Sequence, residues 1–238
     1  MIQESLQYPR NDDQWIKTVL IGGVLSLLGI FIVPTFFVLG YFLRVIRRTM
    51  HGDEQPPVFD DWGDLLSDGL KAFVVVFVYG LIPGVVGAVF IGGGVLSMAA
   101  GGNADAGSLV GFGLVGVLLG SLLALVLGLL AAYVVPAAMA VLAETDRLGA
   151  SFSIGELRPV LGSGTYATAW LSGFAIIVGA GLIAGALNVV PLLGSIVGVF
   201  LSFYAAVAAY YIIGRAWGEL RDVEVRDRDD TPDEQAAV

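Results

Sequence analysis

The chain of 238 residues contains no cysteine and one histidine, His51. Without thiols there is no disulfide framework, thiolate nucleophile or thiol-ligated metal. With a single imidazole there is no multi-histidine zinc site. Lysine is nearly absent as well, since only Lys17 and Lys71 accompany ten arginines. Charge of either sign is scarce at 14% of residues, against about a quarter in ordinary soluble domains.

The scarcity is localised. Charge-free runs of 26, 33, 38 and 56 residues separate Lys17 from Arg44, Lys71 from Asp105, Asp105 from Glu144, and Arg158 from Arg215. Each exceeds the roughly 20 apolar residues with which a helix crosses a bilayer. With mean hydropathy +0.85, the runs predict an all-α, multi-pass membrane protein and exclude soluble, nucleic-acid-binding and disordered classes. Residues 1–214 read as a single transmembrane domain, a bundle of about five helices near 16–43, 72–98, 109–142, 166–187 and 195–214. The last run holds two spans joined by a tight turn at Pro191. Residues 215–238, with eight acids and four arginines, read as an acidic disordered tail.

The first span, with Trp15 and Tyr41 near its ends, is longer than the bilayer requires and contains Pro34. A single helix kinked at Pro34 is the expectation; the alternative is a break near Gly29–Pro34 into a re-entrant hairpin. Pro136 is expected to break the third span in the same way. Residues 1–17 carry five charges, and the apolar run behind them is too long for a signal h-region, so the first span is expected to be retained.

Residues 44–71 form the largest polar segment. From Asp61 the pattern turns helical, with Trp62, Leu65, Leu66, Gly69, Leu70 and Phe73 on one face and Asp61, Asp64 and Asp68 on the other. This predicts a cytoplasmic-side amphipathic interfacial helix near 61–71 that feeds the second span. Phe59, Asp60, Asp61, Trp62, Asp64 and Asp68 are the candidate partner-binding surface. Their ordinary alternative is a solvated acidic face, and their carboxylates lack the spacing of a calcium loop. Arg44, Arg47 and Arg48, just past a span, are candidate contacts for anionic lipid headgroups; the alternative is a topology signal. His51 reads as a solvated loop residue.

Ten of twelve bases fall on one side of a five-span arrangement, and all twelve do if the first span is a hairpin. The positive-inside rule makes that side cytoplasmic and with it the C-terminus of a protein in the cytoplasmic membrane. Small residues at four-residue spacing, Gly116, Gly120, Ala124 and Gly128 in one helix and Gly194, Gly198 and Ser202 in another, are expected at helix contacts. A weak parallel repeat relates Pro34, polar loop and second span to Pro136, polar loop and fourth span.

No charged residue or histidine lies inside any predicted span, which argues against an ion-coupled pump. There is no G-x-S-x-G motif, and the run Gly92–Gly94 lacks the Lys-Ser/Thr of a phosphate loop. No catalytic residue, metal or cofactor is expected. The leading expectation is a non-enzymatic scaffold or partner-recruiting membrane component with a membrane or soluble protein partner, or a second copy, beside the lipid bilayer. The alternative is a transporter or lipid-handling channel for a neutral or lipid-like substrate, built on the two-fold repeat.

The stretch from Tyr8 to Arg48, followed by Pro56, Pro57, Phe59, Asp60, Asp61, Trp62, Gly63, Asp68, Gly69, Leu70 and Lys71, resembles an archaeal and bacterial membrane family. That family is catalogued as domain of unknown function 4013. The resemblance implies an integral membrane protein of a group common in haloarchaea, to which the net charge of −9 and the lysine-poor composition also point. It implies no activity and no catalytic residues.

Overall fold

The structure, a computed structural model, describes residues 2–100 and 106–229. The helices are α1 (Ile2–Gln7), α2 (Trp15–Leu27), α3 (Val33–Met50), α4 (Trp62–Gly87), α5 (Gly93–Ala100), α6 (Ala106–Thr145), α7 (Ile154–Leu161), α8 (Gly164–Leu187) and α9 (Pro191–Asp229). A π-helical turn, Ala88–Gly92, joins α4 to α5. Among the described residues there is no strand. Four stretches are long and apolar enough to cross a membrane: Trp62–Ala99, Gly111–Thr145, Gly164–Leu187 and Leu192–Arg221. The protein is an all-α, multi-pass membrane protein.

The expected first span is not one helix. The ring of Phe203 in α9 lies where a side chain on Gly22 would go, and it also packs 5.6 Å from Tyr41 and 5.7 Å from Phe42. In a continuous helix Gly22 and Phe42 would stand about 30 Å apart. One ring touches both because α2 and α3 fold back on each other about a turn at 28–32. Leu28–Ile30 is a 3-10 turn, and the Thr35 hydroxyl donates to the Gly29 carbonyl at 3.2 Å. Pro34 sits in the first turn of α3. There its missing N–H costs nothing, so it starts a helix rather than kinking one. The tip is apolar and open, with Ile30 85%, Phe31 67% and Ile32 63% exposed, a surface suited to hydrocarbon and not to water.

The hairpin returns the N-terminal segment to the end of α3. The Tyr8 hydroxyl donates to the Gln55 carbonyl at 3.3 Å and the Asn11 amide to the Glu54 carbonyl at 3.0 Å. Burial, with Asp53 nearby, pushes the Tyr8 phenol well above its ordinary pKa, so it stays a neutral donor. Arg10 lies over the rings of Trp15 and Tyr204.

Three other expectations change. Pro136 lies inside an unbroken α6, so the two halves of the proposed repeat differ: one opens on a hairpin arm, the other on a full-length helix. Residues 62–71 are the opening turns of α4 and not a separate element, burying Leu65, Gly69, Ala72 and Val75 at helical spacing. Helix covers 215–229 where a disordered tail is expected, because Ala216 and Trp217 are buried and the Trp217 N–H is held by Glu144. The rest of that tail, 230–238, lies outside the described residues.

The chain divides into two compact units, residues 74–135 and the remainder. Within the first, Phe90 lies against Gly120, and Gly94 against Gly113, where α5 crosses α6; Gly116 makes ordinary contacts with both Phe90 and Gly94. Gly128 is not at a helix contact: nothing described lies within 4 Å of where its side chain would be. Four-residue spacing marks a face, not a contact at every step along it. Within the second unit, Gly194 packs on the Leu187 carbonyl and Gly198 on Ala184, closing the α8–α9 hairpin. The tightest approach is one the spacing rule does not mark. A side chain on Gly69 of α4 would overlap the Phe36 carbonyl of α3, and one on Gly40 the Leu65 carbonyl of α4.

This geometry separates two glycine substitutions by sign. Gly69→Ala forces helices α3 and α4 apart and should destabilise by about 1–3 kcal/mol. Gly80→Ala, which meets nothing described within 4 Å, should be neutral or stabilise by up to about 1 kcal/mol through helix propensity. Unfolding midpoints of the purified protein in one detergent compare the two.

Candidate functional site

The ionisable side chains of the second unit collect at one end, where α3, α6 and α9 finish or leave the membrane and α4 begins. Arg44, Arg47 and Arg48 share a face of α3 because residues three and four apart are helical neighbours. Each reaches a different target.

Arg44 donates to the Asp60 carboxylate at 2.8 Å, to the Asp60 carbonyl at 3.1 Å and to the Asp61 carbonyl at 3.2 Å. It thereby pins the start of α4. Asp61 has φ 43°, a left-handed conformation unusual outside glycine, and its carbonyl accepts the first bond of the helix from Leu65.

Arg47 joins three helices. Its Nη1 donates to Asp68 of α4 at 2.9 Å, its Nε donates to the Ala143 carbonyl in the last turn of α6 at 3.2 Å, and its Nη2 lies 3.8 Å from Asp146. Asp146, with φ 53°, ends α6 in the left-handed conformation that usually falls to glycine. Lys71 Nζ grips its carboxylate at 2.8 and 2.9 Å. A second clasp lies beside the first: Arg221 of α9 donates to Glu144 at 2.9 Å and to Glu156 of α7 at 3.2 Å, and Trp217 donates to Glu144 at 3.1 Å. Arg48 is looser, 3.9 Å from Asp53.

These groups surround a cavity of about 570 Å³ whose walls include Arg47, His51, Asp64, Asp68, Lys71 and Asp146. His51 Nδ1 lies 2.7 Å from the Arg47 carbonyl. A carbonyl only accepts, so the Nδ1 nitrogen is the donor of that contact. Acids outnumber the paired bases of the cavity by one, so it has no excess positive charge to hold an anion. Among the described residues no three His, Asp or Glu come together closely enough to hold a metal ion. The arrangement works as a clasp that fixes helix ends.

The candidate headgroup contacts Arg44 and Arg47 thus have internal partners, and Arg48 is the most exposed of the three, at 44%. The candidate partner surface splits. Asp68 faces inward, and Phe59 is half-buried, stacked 4.5 Å from Tyr41. Asp60 is paired but 57% exposed, while Asp61, Asp64 and Trp62 face outward, Trp62 at 46%. The Trp62 ring is braced edge-on against Phe37 at 5.2 Å. Lys71, Glu144, Asp146 and Arg221 were not legible as site residues. Each pairs across 65 or more positions of sequence, and no local pattern marks them.

Removing Arg47 strands the mostly buried Asp68 and the Ala143 carbonyl. Arg47→Ala should cost about 1–3 kcal/mol, whereas Arg48→Ala should stay within about 0.5 kcal/mol. Thermal unfolding of the two variants in the same detergent measures the difference.

Residues 25–189 match the family described as Protein of unknown function (DUF4013), and the matched region contains the turn of the hairpin and α3, the Arg44–Asp60 brace and the Arg47–Asp68–Asp146 clasp. No curated protein and no solved structure matches the chain. The match covers well over half of the sequence, and the chain belongs to the DUF4013 family.

Proposed function

We propose that this is a non-enzymatic component of the cytoplasmic membrane whose rigid polar end displays a docking surface for a protein partner. The observation that carries this reading is the outward face formed by Asp60, Asp61, Trp62 and Asp64. It combines an exposed indole with three carboxylates on a helix start that Arg44 and Phe37 hold rigidly. Aromatic residues set among fixed polar groups are the common anchors of protein interfaces. The sequence carries no Asp, Glu, Lys, Arg or His in the runs 72–104, 106–143 and 159–214, and so offers no charged relay there for coupled transport.

The same reading places both termini and the polar end in the cytoplasm. All twelve bases then lie inside, and the loops near 100–110 and 188–190, which have none, lie outside. The lysine-poor, acidic composition suits a halophilic setting, where carboxylates keep surfaces hydrated.

Two experiments test the reading. A photo-crosslinking amino acid at position 62 or 64 of the full-length protein in its native membrane should yield a discrete protein adduct, while the same probe at Leu118 yields lipid adducts. Lipid adducts alone at 62 and 64 would make Trp62 a simple interfacial anchor and end the docking reading. Because the chain lacks cysteine, single cysteines report topology cleanly. Gln3→Cys and Gly149→Cys should label from the cytoplasmic side and Val189→Cys from the other; labelling of residues 3 and 149 from opposite sides contradicts the arrangement.

A further inference from the structure

A groove of about 490 Å³ runs along α9, walled on one side by Val38 and Phe42 of α3 and on the other by Ala184 of α8 and Asn188 just past its end. Its floor is the α9 face from Ser195 to Ala206.

The depth of the groove follows from helix pairing. Gly198 packs on Ala184 and Gly173 on Ala209, so α8 and α9 run antiparallel with the groove near their common turn. From Trp170 to Asn188, α8 rises about 27 Å, close to the hydrocarbon core of about 30 Å. On that span the lining residues Asn188 and Ser195 stand at the end next to the turn at 188–190, away from the polar end, and Phe203 and Ala206 stand deeper. Its floor is 11 residue steps long, about 17 Å. One leaflet of the core is about 15 Å thick.

The chemistry of the lining is equally specific. Val38, Phe42, Val199, Phe203 and Ala206 present only carbon. The Ser26 hydroxyl is turned back to the Gly22 carbonyl at 2.7 Å and the Ser202 hydroxyl to the Gly198 carbonyl at 2.8 Å, so neither calls for a polar ligand. At the mouth, Ser195 donates to the Asn188 amide oxygen at 2.7 Å and the Asn188 amide nitrogen donates to the Ala184 carbonyl at 3.3 Å. That nitrogen carries two hydrogens, and Ala184 takes one.

We propose that this groove binds one hydrocarbon chain of a lipid from the leaflet opposite the polar end, with the oxygens that link the chain to glycerol at Asn188. The length of one leaflet, the carbon lining and the single polar mouth all match that occupant.

The test uses full-length protein in phosphatidylcholine vesicles, with orientation fixed by the cysteine labels above. A phosphatidylcholine carrying a diazirine in its acyl chain is loaded into one leaflet at a time, and adducts are mapped by mass spectrometry. Loading the leaflet opposite the polar end should place adducts on residues 195–206 and on Val38 or Phe42, at higher yield than on the open positions Leu118 and Leu122. Ala206→Phe, which fills the groove, should lose the groove adducts and keep those on Leu118; Ser202→Phe serves the same purpose if the first variant does not fold. Groove adducts no more frequent than those at Leu118, unchanged by both fillings, or equally strong from the other leaflet would overturn the proposal. So would efficient disulfide dimers of Val199→Cys, which would show a second copy seated in the groove.

Discussion

An ionised side chain placed in hydrocarbon costs on the order of 3 kcal/mol or more, and every feature of this chain answers to that constraint. The sequence carries no charge between Lys71 and Asp105, between Asp105 and Glu144, or between Arg158 and Arg215. The charges expelled from the spans gather at one end, and there they do structural work. Arg47 is the centre of it, binding α3 to Asp68 of α4 and to the end of α6 through Ala143 and Asp146. Such pairs add little to stability when exposed. Here their value is geometric, since they hold two left-handed aspartates, Asp61 and Asp146, at the points where chain direction changes.

The hairpin follows from the same constraint. A chain with Arg10 and Lys17 before the first apolar run and Arg44, Arg47 and Arg48 after it has bases at both ends. Folding back between Leu28 and Val33 brings both sets to one side. Aromatic packing makes the fold-back specific: Phe200 and Phe203 of α9 fill the places left by Gly23 and Gly22, and Tyr41 and Phe42 close over the same Phe203 ring. α9 is thus the spine of its unit, contacted by the hairpin on one flank and by α8 on another. The groove between those flanks is a direct consequence.

Much of this was legible in residue order and some was not. The charge-free runs identify the membrane class and fall on the long apolar helices, because hydropathy reads a property of each segment alone. The fold-back was open in the sequence: Pro34 in an apolar run is compatible with a kinked interior or a first helical turn, and only the distant Phe203 decides between them. Of the ladder glycines, Gly120 lies against Phe90 and Gly198 against Ala184 while nothing described lies within 4 Å of a side chain at Gly128, and Gly40 and Gly69, which set the closest helix crossing, lie outside any ladder. The Lys71–Asp146 pair spans 75 positions and has no local signature. The helix through 215–229 looked like a polar tail because its anchors, Trp217 and Arg221, find their partner Glu144 in another helix. At the candidate site, the exposed acids and Trp62 were readable from the α4 pattern, whereas the roles of Arg44 and Arg47 as braces depended on contacts across the fold.

The hairpin is the element on which the polar end, the groove and the common side of the termini all depend, and a distance measures it most directly. With spin labels at Asp13→Cys and Asp53→Cys in the otherwise cysteine-free chain, pulsed electron paramagnetic resonance in vesicles should give a single short separation. The Asn11–Glu54 hydrogen bond beside both sites implies that result. A continuous helix from Trp15 to Met50 would hold the labels about 50 Å or more apart. A distribution centred at that distance would contradict the fold-back and everything built on it.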